Sequence, residues 1–159
     1  ALIMSIATRV VNYLIEQDAD YEVVGHPHSA SSLETAELAH VPGDRLAKSV
    51  LLEDAAGYVL ATLPASYRVD LGELHRQTNR NLGLATESEL EAVFGDCEPG
   101  ALPPFGSIYD MDTIVDGTLA EQSDVYFEAG DHEQLIRVSG ETFQMLLGEV
   151  QSSRFGRHL

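Results

Sequence analysis

Ile6, Val10, Val11, Leu14 and Ile15 recur at helical spacing, which predicts an amphipathic helix over residues 5–17 with that stripe on the core. Tyr21-Glu22-Val23-Val24 reads as a short strand running into His26-Pro27-His28. Ser31, with Glu34 three positions on, has capping-box spacing and opens a helix to about His40, which Val41-Pro42-Gly43-Asp44 ends. Val50, Leu51 and Leu52 make residues 46–53 a largely buried strand. Asp54-Ala55-Ala56-Gly57 then turns the chain, and Tyr58 to Leu63 returns as the second arm of a hairpin. Asp70 caps a helix carrying Leu71 and Leu74, residues 82–85 resemble a short strand, and Thr86 with Glu89 forms a second capping box for a helix through Phe94. From Gly95 to Gly106 glycine and proline exclude regular structure. Thr113–Asp116, Asp124–Phe127 and Gln134–Val138 are strand-like, and Ser139 caps a last helix to about Val150 with Phe143, Leu146, Leu147 and Val150 inward. Helices and strands interspersed in this way predict one α/β or α+β domain over residues 1–159, with a mixed sheet.

Composition agrees with a single core. The chain has 159 residues, 44% of them hydrophobic, and no stretch approaches the roughly 18 consecutive apolar residues of a membrane span. Ala1-Leu2-Ile3-Met4 is too short for the apolar core of a signal peptide and has no basic leader, so a cytoplasmic protein is expected. The lone cysteine, Cys97, forms no intramolecular disulfide, which fits a reducing compartment.

Charge changes the picture more. Twenty-six acidic residues stand against nine cations, a net charge of −17. Such a surface suits a saline habitat and repels nucleic acid, DNA included, unless the cations are gathered. Five of the nine lie between positions 45 and 80: Arg45, Lys48, Arg68, Arg76 and Arg80. Lys48 is also the single lysine, and a compact ammonium can anchor a phosphate or a carbonyl oxygen in a way that arginine does not reproduce.

Most familiar catalytic patterns are missing. The sequence has no Gly-x-Ser-x-Gly elbow, no Walker A run and no dinucleotide fingerprint. Cys97 lies between Asp96 and Glu98, whose charges disfavour a thiolate. His26 and His28 are two apart, but two ligands are not a site and Pro27 interrupts them, so neither metal nor cofactor is expected. Two loops remain. Gly100 to Gly106 pairs glycine freedom with proline stiffness, suited to presenting main-chain groups at fixed positions. Gly130-Asp131-His132 precedes the apolar strand from Leu135, and His132 there can donate to a substrate oxygen or shuttle a proton.

In order along the chain, Ala47-Lys48-Ser49-Val50-Leu51, then Gly100-x-x-x-Pro104 with Phe105-Gly106, then Gly130-x-His132 leading into Leu135-Ile136-Arg137-Val138-Ser139, resemble the YbaK/prolyl-tRNA synthetase-associated domain family. The resemblance runs from about Tyr13 to Val150. It implies a twisted mixed sheet forming a partly closed barrel surrounded by helices. It also implies an aminoacyl-tRNA deacylase acting in trans, which cleaves the ester between a wrong, small amino acid such as Ala, Cys or Ser and the terminal adenosine of tRNA. On that resemblance the catalytic set is Lys48, anchoring the tRNA 3′ end, Gly100 and Pro104, whose loop positions the aminoacyl carbonyl, and His132. Substrate contacts fall to Ser49, Leu102, Pro103, Phe105, Gly106, Gly130 and Asp131. Arg45, Arg68, Arg76 and Arg80 would bind tRNA. The acidic C-terminal half departs from a typical tRNA binder, so either those arginines gather with Lys48 into one positive site or a partner such as a synthetase brings the tRNA. A non-catalytic module binding a nucleotide or a protein on the same scaffold is the alternative. Hydrolysis of an activated ester needs positioning and oxyanion stabilisation more than a protein nucleophile, which suits this parts list.

Overall fold

The computed structural model describes residues 7–29, 31–98 and 101–159. Five helices lie within them: α1 (Thr8–Glu16), α2 (Ser32–Leu38), α3 (Leu71–Thr78), α4 (Glu87–Val93) and α5 (Gly140–Leu147). The strands are β1 (Glu22–Gly25), β2 (Leu46–Asp54), β3 (Gly57–Pro64), β4 (Tyr67–Val69), β5 (Gly83–Leu84), β6 (Asp112–Asp116), β7 (Asp124–Glu128), β8 (Gln134–Ser139), β9 (Gln151–Ser153) and β10 (Gly156–His158). Among the described residues an eight-stranded sheet runs β1-β8-β7-β2-β3-β6-β9, with β5 added to β2, and β4 pairs β10 in a separate ribbon. The β2–β3 hairpin is antiparallel, whereas β2–β7, β3–β6 and β6–β9 are parallel, so the sheet is mixed as expected.

Alternation along the strands gives the sheet two faces. On one, Ala47, Phe127 and Ile136 pack with Phe105 against Val10 and Leu14 of α1 and Phe143 and Leu146 of α5. Further along the same face, Leu51 and Leu60 meet Phe94 and Leu102. On the other, Leu46 and Leu135 meet Ala36 of α2 together with Val41, and Leu52, Ala61 and Leu63 meet Leu74 of α3 and Phe155.

Local chemistry sets the ends of the elements. Ser31, Asp70, Thr86 and Ser139 each cap the helix that follows, and Thr86 with Glu89 forms a complete capping box. Some boundaries differ from expectation. α2 stops at Leu38 and α5 at Leu147, the latter because Gly148 takes φ +69°. Ile15 is 66% exposed, since a nine-residue helix turned to bury Val10 and Leu14 carries it past the edge of the buried face. Ile6 lies outside the described residues. β4, β9 and β10 were not expected, being only three residues long with little apolar patterning. Buried Asp116 secures that C-terminal end by accepting hydrogen bonds from the Phe155 and Gly156 amides at 3.1 and 2.7 Å.

Candidate functional site

Lys48 shares its face of β2 with Leu46, Val50 and Leu52, the side covered by α2 and α3. It is half-buried, and burial lowers its pKa below the ordinary lysine value. Nζ donates a long hydrogen bond, 3.4 Å, to the carbonyl of Ala65. No carboxylate of the described residues lies within ion-pair distance of it. A partly desolvated cation without a carboxylate partner favours an incoming anion.

On the same face of the sheet as Lys48 stands an acid that the sequence alone does not single out. Ala47 pairs with Phe127 in the parallel β2–β7 ladder, so Lys48 and Glu128 each lie one position further and point to the same face. Glu128 is only 2% exposed. Its Oε1 accepts from the Thr35 hydroxyl at 3.2 Å and lies 3.9 Å from His26 Nε2, while its Oε2 lies 2.7 Å from His132 Nδ1. Ser29 and Thr35 share a short hydroxyl contact, and Ser29 Oγ is 3.5 Å from the same His132 nitrogen. Ser29, Thr35, Glu128 and His132 are all buried, as is the side chain of His26. The detectable signal was an acid on the inward face of β7, two residues after Tyr126 and four before His132.

The Gly130-Asp131-His132 turn is shaped by its backbone. Gly130 has φ +120° and His132 φ +56°, and Asp131 Oδ1 accepts from the Glu133 and Gln134 amides at 3.0 Å each. The Glu98 amide donates to the Gly130 carbonyl at 2.7 Å, and the Glu98 carboxylate lies 2.9 Å from His28 Nε2. The His28 ring meets His132 edge-on, with centroids 6.2 Å apart. The approach to the Gly-Pro loop is therefore tied to the Gly130 turn. Gly100 itself lies outside the described residues.

The rest of that loop occupies the opposite face from Lys48. Ser49 and its cross-strand partner Thr62 donate to the carbonyls of Pro103 and Pro104, at 3.1 and 3.0 Å. Leu102 and Phe105 are core residues, Phe105 meeting the rings of Tyr13, Phe127 and Phe143. At Gly106 a Cβ would strike Thr113 Oγ1 and the Met111 carbonyl, so glycine is required there. Residues 101–106 thus form a buried brace behind β2 and β3, not a wall beside Lys48.

The arginines divide. Arg80 makes two 2.7 Å bonds to Asp54 at the far end of β2, six residues or about 20 Å from Lys48, and Arg76 is paired with Glu73. Arg45 ends the 3₁₀ turn that leads into β2, and Arg68 lies on β4 shortly after Ala65. Neither makes an ion pair among the described residues, and both lie at the Lys48 end of the hairpin. Burial pushes the Cys97 thiol up to about 12. A cleft of about 770 Å³ between Tyr13, Arg80, Asp112 and Gln151 opens along β6 and β9, and Lys48 does not line it. No group of three or more His, Cys, Asp or Glu side chains among the described residues is arranged to hold a metal ion. No helix of the described residues is long and apolar enough to cross a membrane.

Comparison with known proteins places the sequence in a family. The sequence pattern of the aminoacyl-tRNA editing domain fits residues 26–146. A solved structure described as a candidate trans-editing enzyme for prolyl tRNA synthetase superposes with a TM-score of 0.83 at 24% identity, covering 99% of both chains. A scaffold used for computational epitope backbone grafting gives 0.83 at 23% identity, covering 99% of this chain and 100% of that one. A candidate signal transduction protein from Marinobacter aquaeolei VT8 gives 0.73 at 24% identity, covering 93% of this chain and 30% of that longer one. At these identities the superpositions speak for the fold alone. No curated protein matches the sequence. The pattern spans most of the chain, which therefore belongs to the aminoacyl-tRNA editing domain family.

Proposed function

We propose that this member of the aminoacyl-tRNA editing domain family is a deacylase acting in trans, which hydrolyses the ester of a mischarged tRNA carrying a small amino acid such as Ala, Cys or Ser. Lys48 carries the reading: the single lysine of the chain is half-buried on a central strand, without a carboxylate partner among the described residues, on the same face of the sheet as a buried acid–histidine cluster. Its ammonium anchors a phosphate at the tRNA 3′ end, and Arg45 and Arg68 extend the positive rim at that end of the hairpin. Arg76 and Arg80, already paired with carboxylates, contribute less to that rim.

In this reading His132 and the Gly130-Asp131 turn form the amino-acid end of the site. Glu98, just before the Gly-Pro loop, meets that turn, while Pro103 and Pro104, held by Ser49 and Thr62, brace β2 and β3 from the opposite face. An aminoacyl ester is already activated, so holding the carbonyl and a water in line supplies much of the rate. A synthetase that delivers the tRNA would offset the repulsion of a −17 chain. Mischarged tRNA and an aminoacyl-tRNA synthetase are the partners proposed.

Deacylation of mischarged tRNA by Lys48→Ala and Lys48→Arg tests the proposal. The alanine variant is expected to lose on the order of a hundredfold in kcat/KM, with partial recovery in the arginine variant. A Lys48→Ala rate equal to wild type would overturn it and favour a binding module whose interface lies elsewhere.

A further inference from the structure

Glu128 is buried, charged when ionised, and absent from every role assigned above. A buried carboxylate is costly unless its lone pairs are used. One oxygen is used by Thr35, whose own oxygen is met by Ser29, so two hydroxyls end in series on the carboxylate. The second oxygen stands 2.7 Å from His132 Nδ1, close enough to act on that nitrogen directly. The backbone holds the pair in register. Glu128 ends β7 opposite Leu135 of β8, and the five residues between the two strands, 129–133, make a turn in which His132 takes a left-handed conformation.

We infer that Glu128 is a positioning residue of the editing site: clamped by Thr35, its carboxylate fixes the ring plane of His132 and holds the ring proton on Nδ1. This rests on the reading above, in which His132 faces the aminoacyl group. A carboxylate has acceptors only, so the imidazole nitrogen beside it carries the hydrogen, and in the neutral ring Nε2 is then left as the acceptor. Ring plane and tautomer are thereby fixed together, which is what an imidazole that handles a proton needs. The other titratable group near the carboxylate is His26, just after β1; Lys48 of β2 lies on the same face of the sheet, and His28 and its partner Glu98 lie beyond the His132 ring.

Protein labelled with 15N at histidine, free of tRNA, reads the tautomer directly from the long-range 15N–1H correlations of His132. In the wild type the proton is expected on Nδ1. Glu128→Gln keeps the shape, removes the charge and offers an amide donor, so the Nδ1–H form should give way to Nε2–H or a mixture. Thr35→Val leaves both partners in place and should shift the His132 resonances in the same direction by less. In deacylation, Glu128→Gln should lower kcat on the order of tenfold or more with KM little changed, and move the pH–rate profile. Glu128→Asp should recover part of the loss. A His132 spectrum unchanged in both Glu128→Gln and Thr35→Val would overturn the inference. A shifted tautomer in a protein without deacylase activity would uphold the positioning and overturn the editing reading instead.

Discussion

At the scale of single residues, what separates Lys48 from the other cations is where it is held. Arg76, Arg80, Arg137, Arg154 and Arg157 are all paired with carboxylates, as expected where 26 acids surround nine cations. Lys48 escapes because its neighbours across the strand are apolar, among them Leu63, its register partner. Its rarity was legible in the sequence, but its environment was not. Glu128 was illegible for the opposite reason: one acid among 26 gives no signal until the fold brings it to Thr35 and His132. Cys97 shows burial acting on reactivity. With its thiol pushed up to about 12, alkylation of the native protein at pH 8 should be slow and should accelerate sharply in denaturant, as mass spectrometry of the modified chain would record. Equal rates in both conditions would mean that the thiol is not shielded.

At the scale of elements, the capped helices and the β2–β3 hairpin were readable because their signals are local: a Ser, Thr or Asp before a helix, four turn residues between two apolar runs. β9 and β10 were not, because they are held by a side chain distant in sequence. Asp116→Ala should therefore free the C-terminal ribbon, at a cost of about 1–3 kcal/mol, with amide exchange at Phe155 and Gly156 rising well above that of β2. Uniform exchange in the variant would show that packing of Phe155 suffices. The far end of the hairpin is clamped by Arg80, whose guanidinium holds the Asp54 carboxyl down at about 2. A depressed carboxyl stabilises the fold above its unfolded value, near 3.8, and that contribution is lost as pH falls toward 2. Acid titration of stability should accordingly show a component between about pH 4 and 2 in the wild type, and Arg80→Ala should remove it.

At the scale of the whole molecule, hydrophobic periodicity was enough to predict a single mixed sheet with helices on it, since each apolar run must bury one face. Strand order and the two faces of β2 were beyond it. Lys48 and Ser49 are adjacent in sequence, yet alternation sends one toward α2 and the other to the buried loop. Sequence order suggested one continuous site, whereas the structure separates a polar cluster on one face from a brace on the other. Charge has its own consequence at this scale. With Lys48, Arg45 and Arg68 as the phosphate contacts, the logarithm of tRNA affinity should fall with the logarithm of salt no more steeply than about −2, at about −0.7 for each single-strand phosphate. A much steeper slope would require cations that the described surface does not gather.

The central claim, that Lys48 serves an ester-cleaving site on the α2 face, is tested most directly by following release of radiolabelled amino acid from tRNAs charged with Ala, Cys, Ser or Pro, with wild-type and Lys48→Ala protein at low and high salt. The account predicts release of one small amino acid by the wild type and its collapse in the variant. Release from none of the four at any salt, or release that survives the loss of Lys48, would contradict it.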